Sequence, residues 1–476
     1  IEMCGEVTRQ KGRVVVVGAV RMDIPRENFF KKEINIVISR SYGPGRYDPS
    51  YEEKGNDYPL SYVRFTEQRN METFLSLLSQ KKLDLKNLIT HRFTLDEAAT
   101  AYQLIEGKKT EPYLGILLSY NSKTFDKNSS DLIKINPTKI DNDKIKISFY
   151  GAGNYATATL IPLMKDSGKV SFNGLVTATG MSAQSVAKKF DFNYCASNYK
   201  EILNDKNDVV AITTRHDTHS KAICNALAAN KNVYVEKPLA LSVSELEDIH
   251  KAYTDNAKSQ IMVGFNRRFA PSTNEIIQHF ESVKSPLVIN IRVNAGFIPA
   301  DHWTQDAQEG GGRMIGEGCH FIDLASAITK SNVKTIYAVG SSKEEKSALL
   351  NDNLCLSLTF ENGSIANITY TADGSKAMSK EHIEVFGGGR SAQIKDFKEI
   401  LLFDGDKKVK DKKLGSQDKG QKSMIDSWLK GIQNGEPCID YNSLMQTSLA
   451  TILSIESLSI GMPLDVDSKL YKIKSS

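Results

Sequence analysis

The stretch IKISFYGAGNYA, residues 145–156, decides how most of this chain folds. Residues 145–150 alternate apolar and polar side chains as a strand does, and a glycine turn follows at once. The residues after Gly153 predict a helix over 154–165. A strand, a glycine turn and a helix in this order are the first elements of a doubly wound parallel sheet.

The glycine turn has the spacing of a dinucleotide-binding loop. The first glycine of such a loop permits a tight turn, the second lets the backbone approach a pyrophosphate, and a small third residue lets the helix pack on the strand. Amide N–H groups at the helix start then attract phosphate. The motif predicts that Gly151, Gly153, Asn154, Tyr155 and Ala156 bind a dinucleotide.

The second strand, predicted over 170–177, leaves the choice between NAD and NADP open. An acidic residue at its end would hold the ribose 2′-hydroxyl of NAD, whereas an arginine would suit the 2′-phosphate of NADP. The strand ends in VTATG, residues 176–180, which contains neither. Thr179 and Ser182 are the remaining candidates to contact the ribose.

The order of predicted strands and helices divides the chain into four segments. Alternating strands and helices over 144–265 predict a Rossmann domain, an α/β fold with helices on both faces of a parallel sheet. Strand-rich sequence over 266–476 predicts an α+β domain with a mostly antiparallel sheet and two C-terminal helices. Residues 119–143 are polar and predict a linker. Residues 1–118 predict a partial α/β segment.

Composition places the chain among ordinary soluble proteins. Hydrophobic residues make up 40% of its 476 residues, charged residues make up 25%, and the net charge is +4. The dispersed charge argues against a nucleic-acid or membrane partner. The six cysteines form no CxxC, so we expect no metal site and a reducing, cytoplasmic location. No apolar run is long enough for a membrane helix, and no signal peptide is recognisable.

The first residues lack the start signals that we expect before a buried strand. Ile1 stands at its start, and the valine run at 14–17 soon predicts a buried strand. We expect the chain to be a fragment of a longer protein. The alternative is that its N-terminus results from cleavage of a purification tag. A further hypothesis is a structural fragment whose first segment pairs with another chain.

The tripeptide Glu236-Lys237-Pro238 follows the predicted strand 233–235. A lysine at the carboxyl end of a parallel strand lies where ligands bind in such sheets, and the proline stiffens the turn. Lys237 is therefore a candidate ligand-binding residue. A solvated surface lysine is the alternative interpretation.

Residues 310–323, GGGRMIGEGCHFID, lead from glycines into a predicted helix. His320 and Asp323 are three residues apart, so they share a face of that helix. Histidine transfers protons near neutral pH, which makes His320 a candidate acid or base. A buried, hydrogen-bonded histidine is the alternative.

In combination, these motifs resemble the glucose–fructose oxidoreductase/inositol dehydrogenase (Gfo/Idh/MocA) family of two-domain dehydrogenases. The resemblance runs from about 144 to 460 and includes GFNRRF at 264–269. The combination is far more specific than any one motif. It implies a Rossmann domain, a nicotinamide cofactor and a substrate cleft beside the second domain.

The resemblance also implies residue roles. Lys237, with Glu236 before it, would lie beside the nicotinamide and the substrate hydroxyl or carbonyl, and His320 would be a catalytic acid or base. The family often has aspartate four residues before that histidine, where this chain has Gly316. Glu317 is the candidate substitute.

Further candidates come from two other stretches. TRHDTH, residues 214–219, corresponds to the family's nicotinamide-side loop, usually TPNxxH, so Thr214 and His219 carry over and His216 stands in the asparagine position. Guanidinium groups suit polyol or anionic oxygens, and tryptophan can stack on a sugar face. The candidates for the substrate cleft are Arg267, Arg268, His302, Trp303 and Asp323.

The N-terminal segment resembles the C-terminal part of zinc-type (medium-chain) alcohol dehydrogenases, through Val14–Gly18 and the stretch 90–98. It has neither their catalytic zinc cluster nor their GxGxxG, so we expect it to be catalytically inactive by itself. The order of the two halves, and residues 41–49, resemble bi-domain oxidoreductases associated with bacterial surface-polysaccharide synthesis. That resemblance points to a sugar or nucleotide-sugar substrate by analogy.

The leading hypothesis is an NAD(P)-dependent oxidoreductase that transfers hydride between a nicotinamide cofactor and a sugar, cyclitol or nucleotide-sugar hydroxyl or carbonyl. We expect a small-molecule substrate and consider a homo-oligomer. The rival hypothesis is a non-catalytic nucleotide-binding sensor on the same fold. Gly316 supports the sensor, whereas Lys237 and His320 count against it.

Overall fold

The computed structural model describes residues 1–53, 55–108, 110–120, 132–136, 143–177, 180–256, 258–341 and 351–466, without the side chains of 180–182. The chain divides into two compact units, Ile1–Lys127 and Asn128–Ser476. No described helix is both long and apolar enough to cross a membrane.

The first unit is built from short elements. In chain order they are α1 (Glu2–Val7), β1 (Arg13–Val16), α2 (Arg26–Lys31), β2 (Asn35–Ile38), α3 (Pro49–Glu52), α4 (Glu67–Ser79), β3 (Ile89–Thr94), α5 (Ala98–Ile105) and β4 (Gly115–Ser119). The strands form two parallel pairs, β1 with β2 and β3 with β4. The predicted capping box is present, because Thr94 and Glu97 bond reciprocally before α5.

The second unit begins with a seven-stranded sheet. Its elements are β5 (Ile133–Lys134), β6 (Ile145–Tyr150), α6 (Ile161–Asp166), β7 (Val170–Val176), α7 (Gly180–Phe190), β8 (Tyr194–Ala196), α8 (Lys200–Leu203), β9 (Val209–Ile212), α9 (His219–Ala228), β10 (Asn232–Val235), α10 (Val243–Asp255) and β11 (Ile261–Val263). The strand order is β11-β10-β9-β6-β7-β8-β5, and every pair is parallel except β5 with β8. The predicted Rossmann fold is confirmed.

The predicted linker, residues 119–143, contains the short strand β5. Ser119 ends β4, and β5 pairs with β8 through Ile133↔Cys195 and Lys134↔Tyr194. A two-residue strand is too short to have a sequence pattern of its own, so only its pairing with the neighbouring sheet edge reveals it. Residues 121–131 and 137–142 lie outside the described part of the chain.

The strand order reverses between β6 and β9, and this reversal positions the site. Chain segments that leave the carboxyl ends of these two strands diverge to opposite sides of the sheet, which opens a crevice where ligands bind in such folds. The glycine loop follows β6, and residues 213–219 follow β9. Lys237 follows β10, the next strand along the sheet.

A nine-stranded sheet completes the second unit. The remaining elements are α11 (Pro271–His279), β12 (Val288–Asn294), α12 (Cys319–Thr329), β13 (Val333–Gly340), β14 (Asn353–Phe360), β15 (Ile365–Thr371), β16 (Glu381–Gly387), β17 (Arg390–Lys395), β18 (Glu399–Asp404), β19 (Lys407–Lys413), α13 (Gln421–Asn434), α14 (Tyr441–Ile460) and β20 (Leu464–Asp465). The order is β19-β18-β17-β16-β12-β15-β14-β13-β20. All neighbours are antiparallel except β12 with β15, which confirms the mostly antiparallel prediction.

Four strands of this sheet, β17 to β20, were not predicted. β19 reads KKVKDKK and looks like a solvated charge run, yet it pairs with β18 from Asp404↔Lys407 to Glu399↔Lys413. Its backbone hydrogen bonds to β18 hold β19 in a strand, although its lysine-rich sequence has a low strand propensity. One continuous apolar core extends from Ile145 to Val466, so the two sheets of this unit share their interior.

Candidate active site

A cavity of about 940 Å³ lies at the carboxyl ends of β6, β9 and β10. It is lined by the glycine loop, by residues 213–218, by Glu236 and Lys237, and by side chains from the second domain that include His320. Sheet crevices of this kind are the usual ligand sites of doubly wound folds. The cavity is the candidate active site.

The glycine loop has the geometry that a bound dinucleotide requires. Gly151 has φ +102°, and a Cβ added there would lie 2.7 Å from the backbone carbon and oxygen of Thr213. Only glycine fits that position without strain. A Cβ at Gly153 would meet nothing within 4 Å, so that side of the loop is open to a ligand.

All five glycine-loop candidates, Gly151 and Gly153–Ala156, line the cavity. The helix begins at Asn154 and passes through a π-helical turn, Ala156–Leu160, into α6. Thr177, at the end of β7, also lines the cavity. Thr179 and the side chain of Ser182 lie outside the described part of the chain.

Lys237 is held at the cavity by the second domain. Its Nζ donates a hydrogen bond to the carbonyl oxygen of Gly316 at 2.7 Å. Glu236, which also lines the cavity, accepts a hydrogen bond from the Tyr234 hydroxyl at 2.7 Å. Burial raises the pKa of the Glu236 carboxyl, although the Lys237 charge opposes that shift.

His219 is buried behind the cavity and joins two loops. Its Nδ1 lies 2.7 Å from the Pro238 oxygen, and its Nε2 lies 3.2 Å from the Thr214 oxygen. Burial lowers the pKa of His219. It is not among the cavity-lining residues, whereas Thr214 and His216 are. His219 therefore lies between the Lys237 loop and the Thr214 loop, and its neutral ring donates a hydrogen bond to one of the two carbonyl oxygens.

His320 lies on α12 and reaches the cavity from the second domain. The residue is 6% exposed, and its Nδ1 is buried without a hydrogen-bond partner in the described part of the chain. Burial, together with the charges of Arg267 and Lys237, lowers the pKa of His320 well below its ordinary value. A buried polar atom without a partner is costly, and at a cavity a ligand or a water molecule can complete its hydrogen bonding.

An ion-pair network of Arg267, Glu381 and Lys419 borders the cavity. Arg267 donates from Nε and Nη2 to the two carboxylate oxygens of Glu381, both at 2.8 Å, and Lys419 Nζ donates to the same carboxylate at 2.7 Å. Arg267 and Lys419 line the cavity. Sequence reasoning missed Glu381 and Lys419, because neither belongs to a motif and only the fold brings them together.

Two family models match this part of the chain. The model of the oxidoreductase family with an NAD-binding Rossmann fold matches residues 145–265, and the GFO/IDH/MocA C-terminal domain matches residues 285–392. Residues 145–392 form a Gfo/Idh/MocA oxidoreductase module. Its first domain binds a nicotinamide dinucleotide, and the open glycine loop and the partnerless His320 nitrogen fit such a ligand.

Curated relatives match the Gfo/Idh/MocA module over different lengths. The uncharacterized oxidoreductase YrbE of Bacillus subtilis is 26% identical over 298 residues, which cover 60% of this chain and 86% of that protein. Inositol 2-dehydrogenase of Salmonella typhimurium is 29% identical over 144 residues, 29% of this chain and 41% of that enzyme. Myo-inositol 2-dehydrogenase of Thermotoga maritima is 27% identical over 195 residues, 39% of this chain and 56% of that enzyme.

Solved structures share the fold of the module. An oxidoreductase domain protein from Kribbella flavida superposes with a TM-score of 0.61 at 18% identity, over 68% of this chain and 99% of that one. Levoglucosan dehydrogenase in complex with NADH superposes with a TM-score of 0.59 at 18% identity and the same coverage. At these identities the likeness shows the fold.

Some of the predicted substrate-binding residues line the cavity, and others do not. Trp303 lines the cavity beside His216, with ring centroids 4.8 Å apart. Arg268 and Asp323 instead pair with each other, at 3.0 and 3.1 Å from Arg268 Nε, and neither lines the cavity. His302 is exposed and bonds to Thr304 rather than lining the cavity. The predicted shared face of His320 and Asp323 therefore does not bring both residues to the ligand.

Glu317 lies outside the cavity lining as well. Its carboxylate accepts hydrogen bonds from Tyr370 at 2.6 Å, Lys380 at 2.6 Å and Arg313 at 3.1 Å. Burial opposes ionisation, but these partners lower the pKa of Glu317 to about 2. We call these four residues the Glu317 cluster. The predicted replacement of the family aspartate by Glu317 has no support in this geometry.

Among the described residues, no group of three or more histidine, cysteine, aspartate or glutamate side chains could hold a metal ion. The six cysteines are free. Cys319, directly before His320, is buried, and burial raises the pKa of its thiol to about 12. A thiol with such a pKa stays protonated, so Cys319 does not compete with its neighbour for proton transfer.

Proposed function

We propose that the Gfo/Idh/MocA module interconverts a ring hydroxyl and a carbonyl of a sugar or cyclitol with NAD(P). The observation that carries the proposal is that Lys237, His320 and the glycine loop line one cavity. When bound, the nicotinamide takes up or supplies the hydride. The protein's own residues must then bind the substrate oxygen, stabilise its charge and move its proton.

Lys237 has the charge and position to stabilise the substrate oxygen. The Gly316 carbonyl holds its Nζ from one side at 2.7 Å, which leaves other ammonium hydrogens free for a ligand. A fixed ammonium group favours the partial negative charge that develops on the hydroxyl oxygen as its proton leaves. We assign Lys237 as the catalytic residue that polarises this oxygen.

His320 is proposed to move the proton. His320 lines the cavity, and we assign one of its ring nitrogens to the substrate hydroxyl. The lowered pKa keeps the free imidazole neutral, and a neutral imidazole can accept a hydrogen bond and then the proton. Lys237 makes the hydroxyl more acidic, so a weakly basic imidazole suffices.

The substrate class rests on the cavity and on relatives. Trp303 offers an aromatic face at the cavity, and aromatic side chains commonly pack on sugar rings. Relatives of the chain are named inositol 2-dehydrogenase, and a protein of the same fold is named levoglucosan dehydrogenase. Both names describe polyhydroxylated ring substrates, which supports a sugar or cyclitol for this module.

The first experiment is a calorimetric titration of the full chain with NADH and with NADPH, followed by a screen of inositols and anhydrosugars with the cofactor that binds. We expect micromolar binding of one cofactor. Gly151→Ala should weaken that binding at least tenfold because the new Cβ meets the Thr213 backbone. Gly415→Ala is the matched control, since its Cβ meets nothing within 4 Å. No binding of either cofactor to the native chain would overturn the proposal.

The sensor hypothesis makes a different prediction from the same experiment. A sensor would bind cofactor but oxidise none of the polyols. The presence of both Lys237 and His320 at the cavity favours the enzyme. Binding without turnover of any sugar or cyclitol would favour the sensor.

For the first unit, we propose the C-terminal part of a zinc-type alcohol dehydrogenase as its origin. The parallel pairs β1–β2 and β3–β4 and the Thr94 capping box support this proposal. A cytoplasmic location, assembly into a homo-oligomer and a role in surface-polysaccharide synthesis stay predictions. Native mass spectrometry of the purified chain tests directly whether it assembles into a homo-oligomer.

A further inference from the structure

His216 occupies space that a side chain at position 316 would need. A Cβ built on Gly316 would lie 3.0 Å from His216 Cε1 and 3.7 Å from His216 Nδ1. The same glycine offers its carbonyl oxygen to Lys237. His216 and Lys237 therefore both lie against Gly316, and the absence of a side chain at position 316 leaves room for the His216 ring.

The hydrogen bond of Nδ1 defines the chemistry of this ring. Nδ1 lies 2.7 Å from the carbonyl oxygen of Gly310, and a carbonyl can only accept, so Nδ1 carries the hydrogen. Burial, with the charge of Lys237, lowers the pKa of His216 to about 3, so the ring is neutral. Nε2 then carries a lone pair and can only accept a hydrogen bond.

The ring is fixed on the side of the cavity formed by the second domain. It packs edge-on against Trp303, and the neighbouring Arg215 forms an ion pair with Glu309. The Asp217 amide adds a hydrogen bond to the Glu309 carbonyl at 3.2 Å. His216 lines the cavity, and Nε2 has no hydrogen-bond partner among the residues that the structure describes.

We propose that His216 is a specificity-determining residue whose Nε2 accepts a hydrogen bond from a second hydroxyl, on the carbon next to the one that is oxidised. This inference rests on the proposed function and deepens it, because it restricts the substrate to a vicinal diol. Lys237 engages the reacting oxygen, and the ring beside it meets the adjacent substituent. An acceptor without a donor opposite it would lose its hydrogen bond to water on binding.

The position beside Trp303 and Gly310 favours the substrate over the cofactor amide as the donor. Both partners could offer an N–H or O–H to Nε2. Trp303 and Gly310 belong to the second domain, whereas the glycine loop, to which we assign the dinucleotide, belongs to the first. Contact with the cofactor amide is therefore an outcome that the test must distinguish.

The test compares two variants on matched substrates. His216→Gln keeps an acceptor near the place of Nε2, and His216→Met keeps similar volume without a strong acceptor. The substrates are myo-inositol and the deoxyinositols that lack one hydroxyl each, with levoglucosan as a second parent compound. His279→Gln is the matched control, because His279 also bonds a backbone carbonyl, at 2.9 Å from Phe403, and lies outside the cavity lining.

We expect His216→Met to lower kcat/KM for the parent compound about 10- to 100-fold and to leave one deoxy analogue unaffected, because that analogue has already lost the bond. His216→Gln should restore part of the discrimination. An equal fall for parent and every analogue would assign His216 a purely structural role and overturn the proposal. A weaker cofactor Kd with unchanged discrimination would move the contact to the nicotinamide amide and also overturn it.

A second measurement does not depend on turnover. In protein labelled with ¹⁵N-histidine, the His216 Nε2 signal, assigned from the His216→Gln spectrum, should move when myo-inositol is added to the NAD-loaded chain. Gly316→Ala should weaken that response, since the new methyl group would lie 3.0 Å from His216 Cε1 and push the ring away by a few tenths of an ångström. Turnover without a His216 response overturns this inference alone. Absence of both overturns the proposed function together with it.

Discussion

Two regions of the module contain polar side chains with opposite surroundings. In the Glu317 cluster, one carboxylate is shared by Tyr370, Lys380 and Arg313, so every charge has a partner. At the cavity wall, which we define as His216, Lys237 and His320, the partners are backbone carbonyls or absent.

This contrast distinguishes polar residues that can bind a ligand from polar residues that stabilise the fold. A buried polar group without a partner costs stability, roughly 1–3 kcal/mol, and at a cavity a ligand can supply the missing partner. A closed cluster needs no ligand and stabilises the fold. We therefore expect changes at the cavity wall to affect catalysis and changes in the Glu317 cluster to affect stability.

The largest effect is expected for Lys237→Met. The variant keeps a long apolar stem but loses the ammonium group, so we predict a fall in kcat of about 10³-fold or more with little change in melting temperature. Initial rates of NAD(P)H formation and a thermal melt measure both. Lys380→Met, in the cluster, is the matched lysine change, and the comparison fails if it lowers kcat as much.

The next largest effect is expected for His320→Gln. Loss of the proton-transferring imidazole should lower kcat about 10²-fold, within the usual range for general acid–base catalysis. Cofactor binding, measured by calorimetry, should stay within about threefold of the native value because the glycine loop is untouched. A variant that keeps native turnover would remove His320 from the mechanism.

A moderate effect on stability alone is expected for Glu317→Gln. The folded pKa of about 2 lies below the ordinary value of 4.5, so this carboxylate stabilises the fold above pH 4.5, and that contribution is lost between pH 4.5 and about 2. We predict a loss of about 2–3 kcal/mol at pH 7 in urea unfolding and a flatter acid limb. Glu361→Gln, at an exposed site, is the control. If Glu361→Gln lost stability and Glu317→Gln did not, the assignment of the Glu317 cluster to fold stability would be wrong.

The smallest effect concerns pH between 5 and 8. Burial lowers the pKa of His216, His219 and His320, so their ring signals in an NMR titration should show no midpoint in this range. Below about pH 6.5 these histidines bind protons in the unfolded chain but stay neutral in the folded chain. The free energy of unfolding should therefore decline as pH falls. A midpoint near neutrality for His216 or His320 would mean that the wall is more hydrated than its burial indicates.

Much of the fold is predictable because its signals are local. The glycine loop, the alternation of β6 to β11 with helices and the cap at Thr94 each depend on residues that are close in the chain. β19 shows the limit of pattern recognition. It pairs with β18 across the two-residue turn 405–406, yet its lysine-rich sequence lacks the alternation of apolar and polar residues by which a half-buried strand is recognised.

The candidate site divides in the same way. Lys237 was predictable because it follows a parallel strand, and every such strand ends at the same edge of the sheet. The surroundings of Glu317 were not predictable from the sequence. Glu317 lies in the π-helical turn Met314–Gly318, where the spacing of residues around the helix axis differs from that of a regular α-helix. Arg268 and Asp323 satisfy each other across 55 positions of sequence.

The sequence by itself determined the dinucleotide-binding domain and the positions of Lys237 and His320, since strand periodicity, glycine turns and helix starts depend on short-range sterics and hydrogen bonds. Only the tertiary structure decided which polar groups stay open to a ligand. That choice depends on whether a partner such as Lys380, Glu381 or Gly310 arrives from a distant element, and the free energy of a buried polar group depends on that partner.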